Sequence, residues 1–380
     1  MIKKALLGTW MMSLVIAHAM SSIAVAEPAY RVSDPISHNN LSIYFIHGRG
    51  QAGPPPLTLS EALTKGTVAV YETGKVTELA IENKGTKPVF IQAGDVVRGG
   101  KQDRVLTVSL ILPAKSGRVP IASYCVEEGR WQKRGKESIR QFTSSANAIP
   151  SKRAKLAMQL AHSTQMGRPD AAAIQRSQSI SANRLRPLYQ QRIDRSATAN
   201  PRVSESGFNP QSVVWESVAS TQRALSQSLK ARVAAPESRS SLVLALDNTH
   251  LKQAMRRYMD KLLPAAEAHD DILGYVFAIN GRVNSADVYP SHSLFEKMWP
   301  KLLRASVTEA ISEKFPDQKY FSQPTPDDVL SFLKSADAGK RTARAVNNGA
   351  QVYTHTSKAS YLFTTKLKSG AWIHRNYIAR

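Results

Sequence analysis

The sequence predicts an α+β fold: a β-rich N-terminal sandwich or incomplete barrel, then a helix–β-hairpin–helix unit and a short C-terminal sheet. Three observations predict it. Apolar runs of strand length alternate with glycine and proline turns up to residue 135, helical apolar stripes begin at residue 211, and alternating aromatic strands follow Gly339. Strands and helices segregated along the chain in this way are typical of α+β proteins.

The composition indicates an ordinary globular protein with an excess of positive charge. The 380 residues are 42% hydrophobic and 21% charged, which excludes wholesale disorder. The single cysteine, Cys125, excludes an intramolecular disulfide framework and a multi-cysteine zinc site. The 51 Lys and Arg against 29 Asp and Glu give a net charge of +22, which favours an anionic partner or surface.

The N-terminus has the pattern of a secretory signal peptide, predicted over residues 1–26. Two lysines precede the mostly apolar run Ala5–Met20, and the small residues Ala24–Ala26 form the cleavage site. The apolar run is shorter than the roughly 20 residues that span a bilayer. We therefore expect cleavage after Ala26 and a periplasmic or secreted protein that has no transmembrane segment after cleavage.

Residues 38–135 are predicted to form the β-rich unit. Thr58 precedes one short helix, Leu59–Lys65, which Gly66 ends. Apolar or alternating runs bounded by turn residues predict the strands. These are Leu41–His47, Thr67–Glu72, Val76–Glu82, Pro88–Gln92, Arg104–Leu112 and Val119–Val126.

Residues 136–210 are predicted to be a basic, weakly structured insertion. Between Arg130 and Arg202 there are fifteen Lys or Arg and only three acidic residues. The segment 151–163 fits one helix, but 165–210 shows no sustained apolar period. The positive charge of this segment has two explanations. It keeps a loop solvated, which we prefer, or it belongs to an arm that docks on a partner.

Residues 211–380 are predicted to form an α+β unit that packs on the first. Apolar stripes predict a helix from Gln211 and a second over Leu251–Leu262. Asn280-Gly281 predicts a hairpin between Ile272–Ile279 and Arg282–Tyr289, because both turn positions need positive φ.

The remaining C-terminal signals concern helix ends and the basic tail. Ser293 with Glu296 predicts a capping box, and Pro300 predicts a kink or break in the helix that follows. Thr325-Pro326 predicts a helix through Leu333. The aromatic residues in the basic tail fit either base stacking or a packed sheet; we prefer the sheet and do not expect a nucleic acid partner.

Two polar segments at strand ends form the candidate site. Gly94–Arg104 and Cys125–Trp131 converge if the intervening strands pair. Glycines there would let a ligand approach the backbone, and arginines bind carboxylates or phosphates in a bidentate manner. The predicted ligand-binding residues are Lys101, Gln102, Asp103, Arg104, Glu127 and Arg130.

Other roles for residues in these segments remain open. Asp95 and Asp103 are also explained as acceptors of turn amides. Cys125 is either an inert buried thiol or a nucleophile, and Glu127 is the candidate carboxylate because it has the same strand parity as Cys125. The histidines are scattered without ligand spacing, so we predict neither a metal nor a cofactor.

Several segments together resemble the ARG and Rhodanese-Phosphatase-superfamily-associated protein domain. The most specific are Gly99-Gly100-Lys101-Gln102-Asp103-Arg104 and Cys125-Val126-Glu127, and further matches are Leu57–Leu63, Ile81–Gly85, Val214–Val218, Gly274–Val283 and Trp299–Leu303. The family's name records an association with ADP-ribosylglycohydrolase-type and phosphatase-type proteins. The resemblance therefore implies a nucleotide-like or ADP-ribose-like ligand by association.

These observations lead to three functional hypotheses. The first is an exported binding protein for an anionic ligand, such as a nucleotide-like molecule or a sugar phosphate. The alternative is a hydrolase or transferase that uses Cys125 or Glu127. The third is an envelope scaffold held to polyanions by charge, which predicts that its affinity collapses as salt rises.

Overall fold

The structure is a computed structural model that describes residues 30–163, 209–314, 321–346 and 350–380. The predicted signal peptide, residues 1–26, and the segment 164–208 of the predicted insertion lie outside these ranges. The α+β class is confirmed, with a closed barrel in the N-terminal part and a C-terminal antiparallel sheet. No helix within the described ranges is long and apolar enough to cross a membrane.

Eighteen strands lie within the described ranges. In chain order, the first nine are β1 (Arg31–Val32), β2 (Ile36–His38), β3 (Leu41–His47), β4 (Leu57–Thr58), β5 (Val68–Lys75), β6 (Glu78–Asn83), β7 (Val89–Ile91), β8 (Asp95–Gly99) and β9 (Arg104–Leu106). The others are β10 (Leu110–Leu112), β11 (Gly117–Cys125), β12 (Gln141–Ala148), β13 (Ile272–Ile279), β14 (Arg282–Val288), β15 (Lys340–Ala345), β16 (Gln351–Thr356), β17 (Ser360–Lys366) and β18 (Trp372–Ala379).

The α-helices lie mostly between the barrel strands and the C-terminal strands. They are α1 (Leu59–Thr64), α2 (Lys152–Ser163), α3 (Pro210–Leu229), α4 (Leu242–Leu246), α5 (Thr249–Leu262), α6 (His292–Ser312) and α7 (Pro326–Asp337). The predicted short helix is confirmed, and Thr58 forms a full capping box with Glu61 at its N-terminus.

The barrel closes in the strand order β11-β6-β5-β12-β8-β9, and side chains such as Val70, Ile81 and Leu106 fill its interior. The sequence pattern does not predict strand β12, because its small polar residues show no apolar alternation. It forms through pairing with β5 and β8, and it extends the β-rich unit beyond residue 135. Tertiary pairing at this strand overrides a weak local preference.

A nine-stranded sheet joins the two ends of the described chain. Its path is β1-β3-β13-β14-β18-β17-β16-β15, with β2 added beside β3. The predicted hairpin is confirmed, with φ of 54° at Asn280 and 74° at Gly281. Strand β13 is apolar throughout because both faces are covered: Tyr275 and Phe277 pack in the cluster that contains α6, and Val276 packs in the cluster that contains α7.

Two local predictions, the capping box at Ser293 and the single strand over 104–112, are wrong. Helix α6 is capped by Ser291, whose hydroxyl accepts from the Leu294 amide, so Ser293 lies inside the helix. The same helix continues through Pro300 without a break, since one proline removes a single backbone bond while the helix face stays buried in the core. The predicted strand 104–112 is divided into β9 of the barrel and β10 of a small sheet with β7 and β4.

Candidate functional site

The two predicted segments meet at one end of the barrel. Strand β9 pairs antiparallel with β11, and this register sets Arg104 opposite Cys125. The turn after β8 therefore lies beside the segment that follows β11. The Gln102 side-chain amide donates to the Glu127 carbonyl at 2.6 Å, and the Asp103 amide donates to the Glu127 carboxylate at 3.1 Å.

Asp103 and Glu127 are both completely buried and are neutralised by two arginines. Arg134 lies 2.9 Å from the Asp103 carboxylate and 3.0 Å from that of Glu127. Arg130 Nε lies 2.7 Å from Glu127, and the Ser241 hydroxyl donates to Asp103 at 2.9 Å. We call Asp103, Glu127, Arg130 and Arg134 the ionic cluster.

The electrostatics of the ionic cluster reflect burial and pairing together. Burial raises the pKa of Asp103, and the nearby Glu127 carboxylate raises it further against the opposing effect of Arg134. Burial lowers the pKa of Arg134, but the carboxylates of Asp103, Glu137 and Glu127 together more than compensate and the net shift is upward. The cluster holds two acids and two guanidinium groups, so its charges balance.

The cluster continues to the surface through Arg134, which no sequence pattern distinguishes from its basic neighbours. Arg134 also lies 2.9 Å from Glu137, and Arg98 bridges Glu137 to Asp247 at 2.5 and 3.1 Å. Burial raises the pKa of Glu137, but hydrogen bonds from Arg98 and Arg134 lower it more, so the net shift is downward. These ion pairs connect the barrel to the residue that follows α4.

The other predicted cations also have partners within the protein. Arg104 is fully buried between Glu72, at 3.4 Å, and the Val76 carbonyl. Lys101 lies 4.9 Å from the centre of the Trp131 ring, which is 44% exposed. Ion pairing and cation–π contact therefore account for both side chains as they stand.

The turn role considered for the two aspartates is confirmed. Asp95 accepts the Gln92 amide at 3.0 Å, and Asp103 accepts the Gly99 amide at 3.0 Å. Asp95 also accepts from the ammonium of Lys301 at 2.7 Å. The two carboxylates thus combine a turn bond with an ion pair.

Cys125 lies at the end of β11 and is completely buried. Burial raises the pKa of its thiol to about 11, so the thiol is protonated at neutral pH. The Gln211 side chain holds the Cys125 backbone with two 2.8 Å bonds, one to the amide and one to the carbonyl. Neither Cys125 nor Glu127 lines the small cavity beside His374 or the larger cleft beside α6.

We expect Cys125 of the native protein to resist iodoacetamide at pH 7.5, because alkylation requires an accessible thiolate. Mass spectrometry of the intact protein measures the adduct. The same reaction in guanidinium chloride is the control, and there we expect complete alkylation. Rapid modification of the folded protein would show that the thiol is more exposed and more acidic than this geometry allows.

A small cavity lies between the small sheet and the C-terminal strands. It measures about 10 Å³, which is room for a group about the size of one water molecule. Its lining is mostly polar and includes Ser109, Gln159, Arg344, Thr365 and His374. None of these residues stands out in the sequence as a candidate for function.

Arg344 is the unusual member of this lining. It is mostly buried on β15, its Nε has no hydrogen-bond partner, and no ion pair to it is found in the described part of the chain. Burial lowers the pKa of its guanidinium to about 10. A buried cation without a counter-charge is costly, so this position favours an anion. We call this space the Arg344 cavity.

A larger cleft of about 300 Å³ lies beside α6. Phe295 and Trp299 form its base, and Glu267, Asp270 and Glu296 lie at its rim. The acidic rim repels anions. No three histidine, cysteine or carboxylate side chains in the described ranges are arranged to hold a metal ion.

The fold and the cluster define an α+β protein in which a closed six-stranded barrel, carrying buried carboxylate–arginine pairs at one end, packs with a nine-stranded sheet. Comparison with known families then assigns it. The chain belongs to the ARG and Rhodanese-Phosphatase-superfamily-associated Protein domain family, ARPP-1, which matches residues 29–378. No curated protein and no solved structure matches the chain.

Proposed function

We propose that the protein is an exported binding protein for an anionic ligand of the nucleotide-like or sugar-phosphate type, and that one anionic oxygen of the ligand enters the Arg344 cavity. The observation that carries this is the mostly buried guanidinium of Arg344, whose Nε has no hydrogen-bond partner and to which no ion pair is found among the described residues. A guanidinium binds carboxylate and phosphate oxygens strongly when water is excluded.

The lining of the cavity supports an anion rather than a cation. Thr107 and Thr365 lie at the same cavity, and no acidic residue is among its lining residues. The cleft beside α6, by comparison, has an acidic rim that repels anions. In the ionic cluster, by contrast, every guanidinium already contacts a carboxylate, so a ligand there would have to displace a buried ion pair.

Export is supported by the sequence of residues 1–26, and the net charge of +22 suits an envelope rich in anions. The N-terminal sequence of the protein recovered from its host tests this part. Recovery outside the cytoplasm with Glu27 at the N-terminus supports export, and an intact Met1 in the cytoplasm contradicts it.

A thermal-shift screen tests ligand binding. The probes are inorganic phosphate, ADP-ribose, mononucleotides, sugar phosphates and an envelope polyanion, each at low and at high salt. A ligand at a hundred times its dissociation constant adds about 2.7 kcal/mol, which moves the transition by several degrees. A salt-resistant shift with one small anion supports the proposal. A shift only with the polyanion, lost at high salt, would overturn it in favour of a charge-held scaffold.

The variant Arg344→Gln is expected to weaken binding of the active anion at least tenfold and to stabilise the free protein by about 1–3 kcal/mol, because a buried uncompensated charge disappears. Titration calorimetry and urea unfolding measure the two effects. The matched control is Arg341→Gln, which removes the same charge from an exposed position on β15, where the guanidinium lies 4.2 Å from the Tyr353 ring centre. Equal loss of affinity in both variants would argue against the cavity.

A further inference from the structure

The cleft beside α6 is the larger of the two cavities described above, at about 300 Å³. It lies between the segment 263–270, which follows α5, and the first turns of α6, from His292 to Pro300. Phe295 and Trp299 give it an apolar base. A concave site of this volume, with an apolar base and a few polar groups, is typical of sites for small ligands.

The cleft is lined by carboxylates, and no Lys or Arg is among its described lining residues. Glu267, Asp270 and Glu296 all line it, and none of them forms an ion pair within the described ranges. Lys297, the neighbour of Glu296, already pairs with Glu61 at 3.0 Å. The cleft therefore attracts cations, although the whole chain has 51 Lys and Arg against 29 Asp and Glu.

The two helix ends at the cleft do not change this sign. Helix α6 begins at His292 and brings a partial positive charge, whereas α5 ends at Leu262, beside Leu263 of the lining, and brings a partial negative charge. Each end is equivalent to about half an elementary charge. The two ends therefore offset each other, and the three carboxylates decide the potential of the cleft.

Pro300 adds a backbone acceptor to the cleft. In an α-helix the carbonyl of residue 296 accepts from the amide of residue 300, but proline has no N–H. The Glu296 carbonyl inside α6 therefore lacks its usual helical donor, and Glu296 and Pro300 both line the cleft. The proline thus leaves a carbonyl oxygen that can accept a hydrogen bond from a ligand.

Two further side chains leave acceptors rather than donors at the cleft. His292 Nδ1 lies 2.9 Å from the Ile272 carbonyl, which can only accept, so Nδ1 carries a proton. In the neutral imidazole, Nε2 of His292 is then an acceptor. The Trp299 Nε1 donates to the Leu263 carbonyl at 3.0 Å, so this donor is already used. A ligand that supplies N–H donors and positive charge complements this lining.

We propose that the cleft binds an organic cation with N–H donors, namely a primary amine or a guanidinium on a short aliphatic chain. The cationic group contacts the rim carboxylates and the Glu296 carbonyl, and the aliphatic chain lies on Phe295 and Trp299. A bare metal ion is not the ligand, because no three histidine, cysteine or carboxylate side chains in the described ranges are arranged to hold one. The site is separate from the Arg344 cavity and does not depend on the proposed anion.

Titration calorimetry with putrescine and agmatine tests the site, at about 0.15 M salt so that long-range attraction is screened. Choline and magnesium chloride are the controls, because choline has the charge without an N–H donor and Mg²⁺ has the charge without an apolar part. We expect putrescine or agmatine to bind at one site, and both controls to bind at least about tenfold more weakly. Absence of amine binding, or equal binding of either control, would overturn the proposal.

A charge reversal at the rim locates the binding site. Glu296→Lys places an ammonium at an exposed position of the cleft, and we expect it to weaken amine binding about tenfold or more because like charges repel. The matched control is Glu128→Lys, which makes the same change of charge at an exposed glutamate that does not line the cleft. There the affinity should change less than about twofold. Equal weakening in both variants would overturn the assignment to this cleft.

Pro300→Ala tests the carbonyl without changing any charge. Alanine gives the Glu296 carbonyl its helical donor again, so we expect the amine to bind about tenfold more weakly. Circular dichroism checks that the variant is folded, and unchanged affinity would overturn the carbonyl contact. Arg344→Gln should leave amine binding unchanged, so failure of the anion proposal and failure of this one are distinguishable.

Discussion

Replacing Arg134 by methionine is expected to destabilise the fold by about 3–5 kcal/mol, because it leaves the two buried carboxylates of Asp103 and Glu127 with Arg130 as a single counter-charge. Arg134 contacts Asp103, Glu127 and Glu137, each at 2.9–3.0 Å, and it also donates to the Ser241 hydroxyl at 3.1 Å. Methionine keeps much of the side-chain volume, so the effect reports the charge rather than a cavity. Urea unfolding followed by circular dichroism measures it.

The control for this variant is Lys133→Met, one residue earlier and exposed. We expect the free energy of unfolding of Lys133→Met to differ from that of the wild type by at most about 0.5 kcal/mol. Adding Asp103→Asn to Arg134→Met should restore part of the lost stability, since it removes one of the two buried negative charges. A loss below about 1 kcal/mol for Arg134→Met alone would mean that water reaches the ionic cluster, and the site would then be more open than its burial indicates.

The convergence of the candidate segments could be predicted from the sequence because it depends on neighbouring strands. Apolar runs separated by short turns pair with one another, and the ends of such runs meet at one end of a sheet. Arg134 could not be recognised in the same way. It stands between Lys133 and Lys136, and the pattern of charges does not show that only Arg134 reaches the buried carboxylates.

The residues at the Arg344 cavity lie beyond the reach of local patterns. Ser109 and His374 are 265 positions apart, and His374 and Asp287 are 87 apart. They meet because β18 pairs with β14, opposite the small sheet that contains β10. The sequence around His374 therefore does not indicate that Ser109 and Asp287 are its neighbours. The Asn280-Gly281 hairpin could be predicted because it depends only on its own turn residues.

The sequence predicts that the glycines of the segment 94–104 let a ligand approach the backbone, but in the structure they have a different role. In the structure, Gly99 and Gly100 have φ of 122° and 56°, and both carbonyls accept from Arg130, at 3.1 and 3.0 Å. The tight turn thus completes the arginine's hydrogen bonds, and it leaves room for the Phe142 ring.

Gly100→Ala is expected to destabilise the protein by about 2–4 kcal/mol. A Cβ at this position would lie 2.2 Å from the Phe142 ring, which is buried in the barrel and cannot move without disturbing its neighbours. The overpacking costs about 1–3 kcal/mol, and the left-handed backbone adds about 1 kcal/mol for any L residue. Thermal and urea unfolding measure the sum.

Gly135→Ala separates these two costs. Gly135 has nearly the same φ, 52° against 56°, but a Cβ there meets no atom within 4 Å. Only the backbone cost of about 1 kcal/mol should remain. The difference between the two variants then measures how rigidly Phe142 is held beside the turn that supports Arg130. Equal losses would show that the ring gives way freely, and the turn would then have space for a ligand after all.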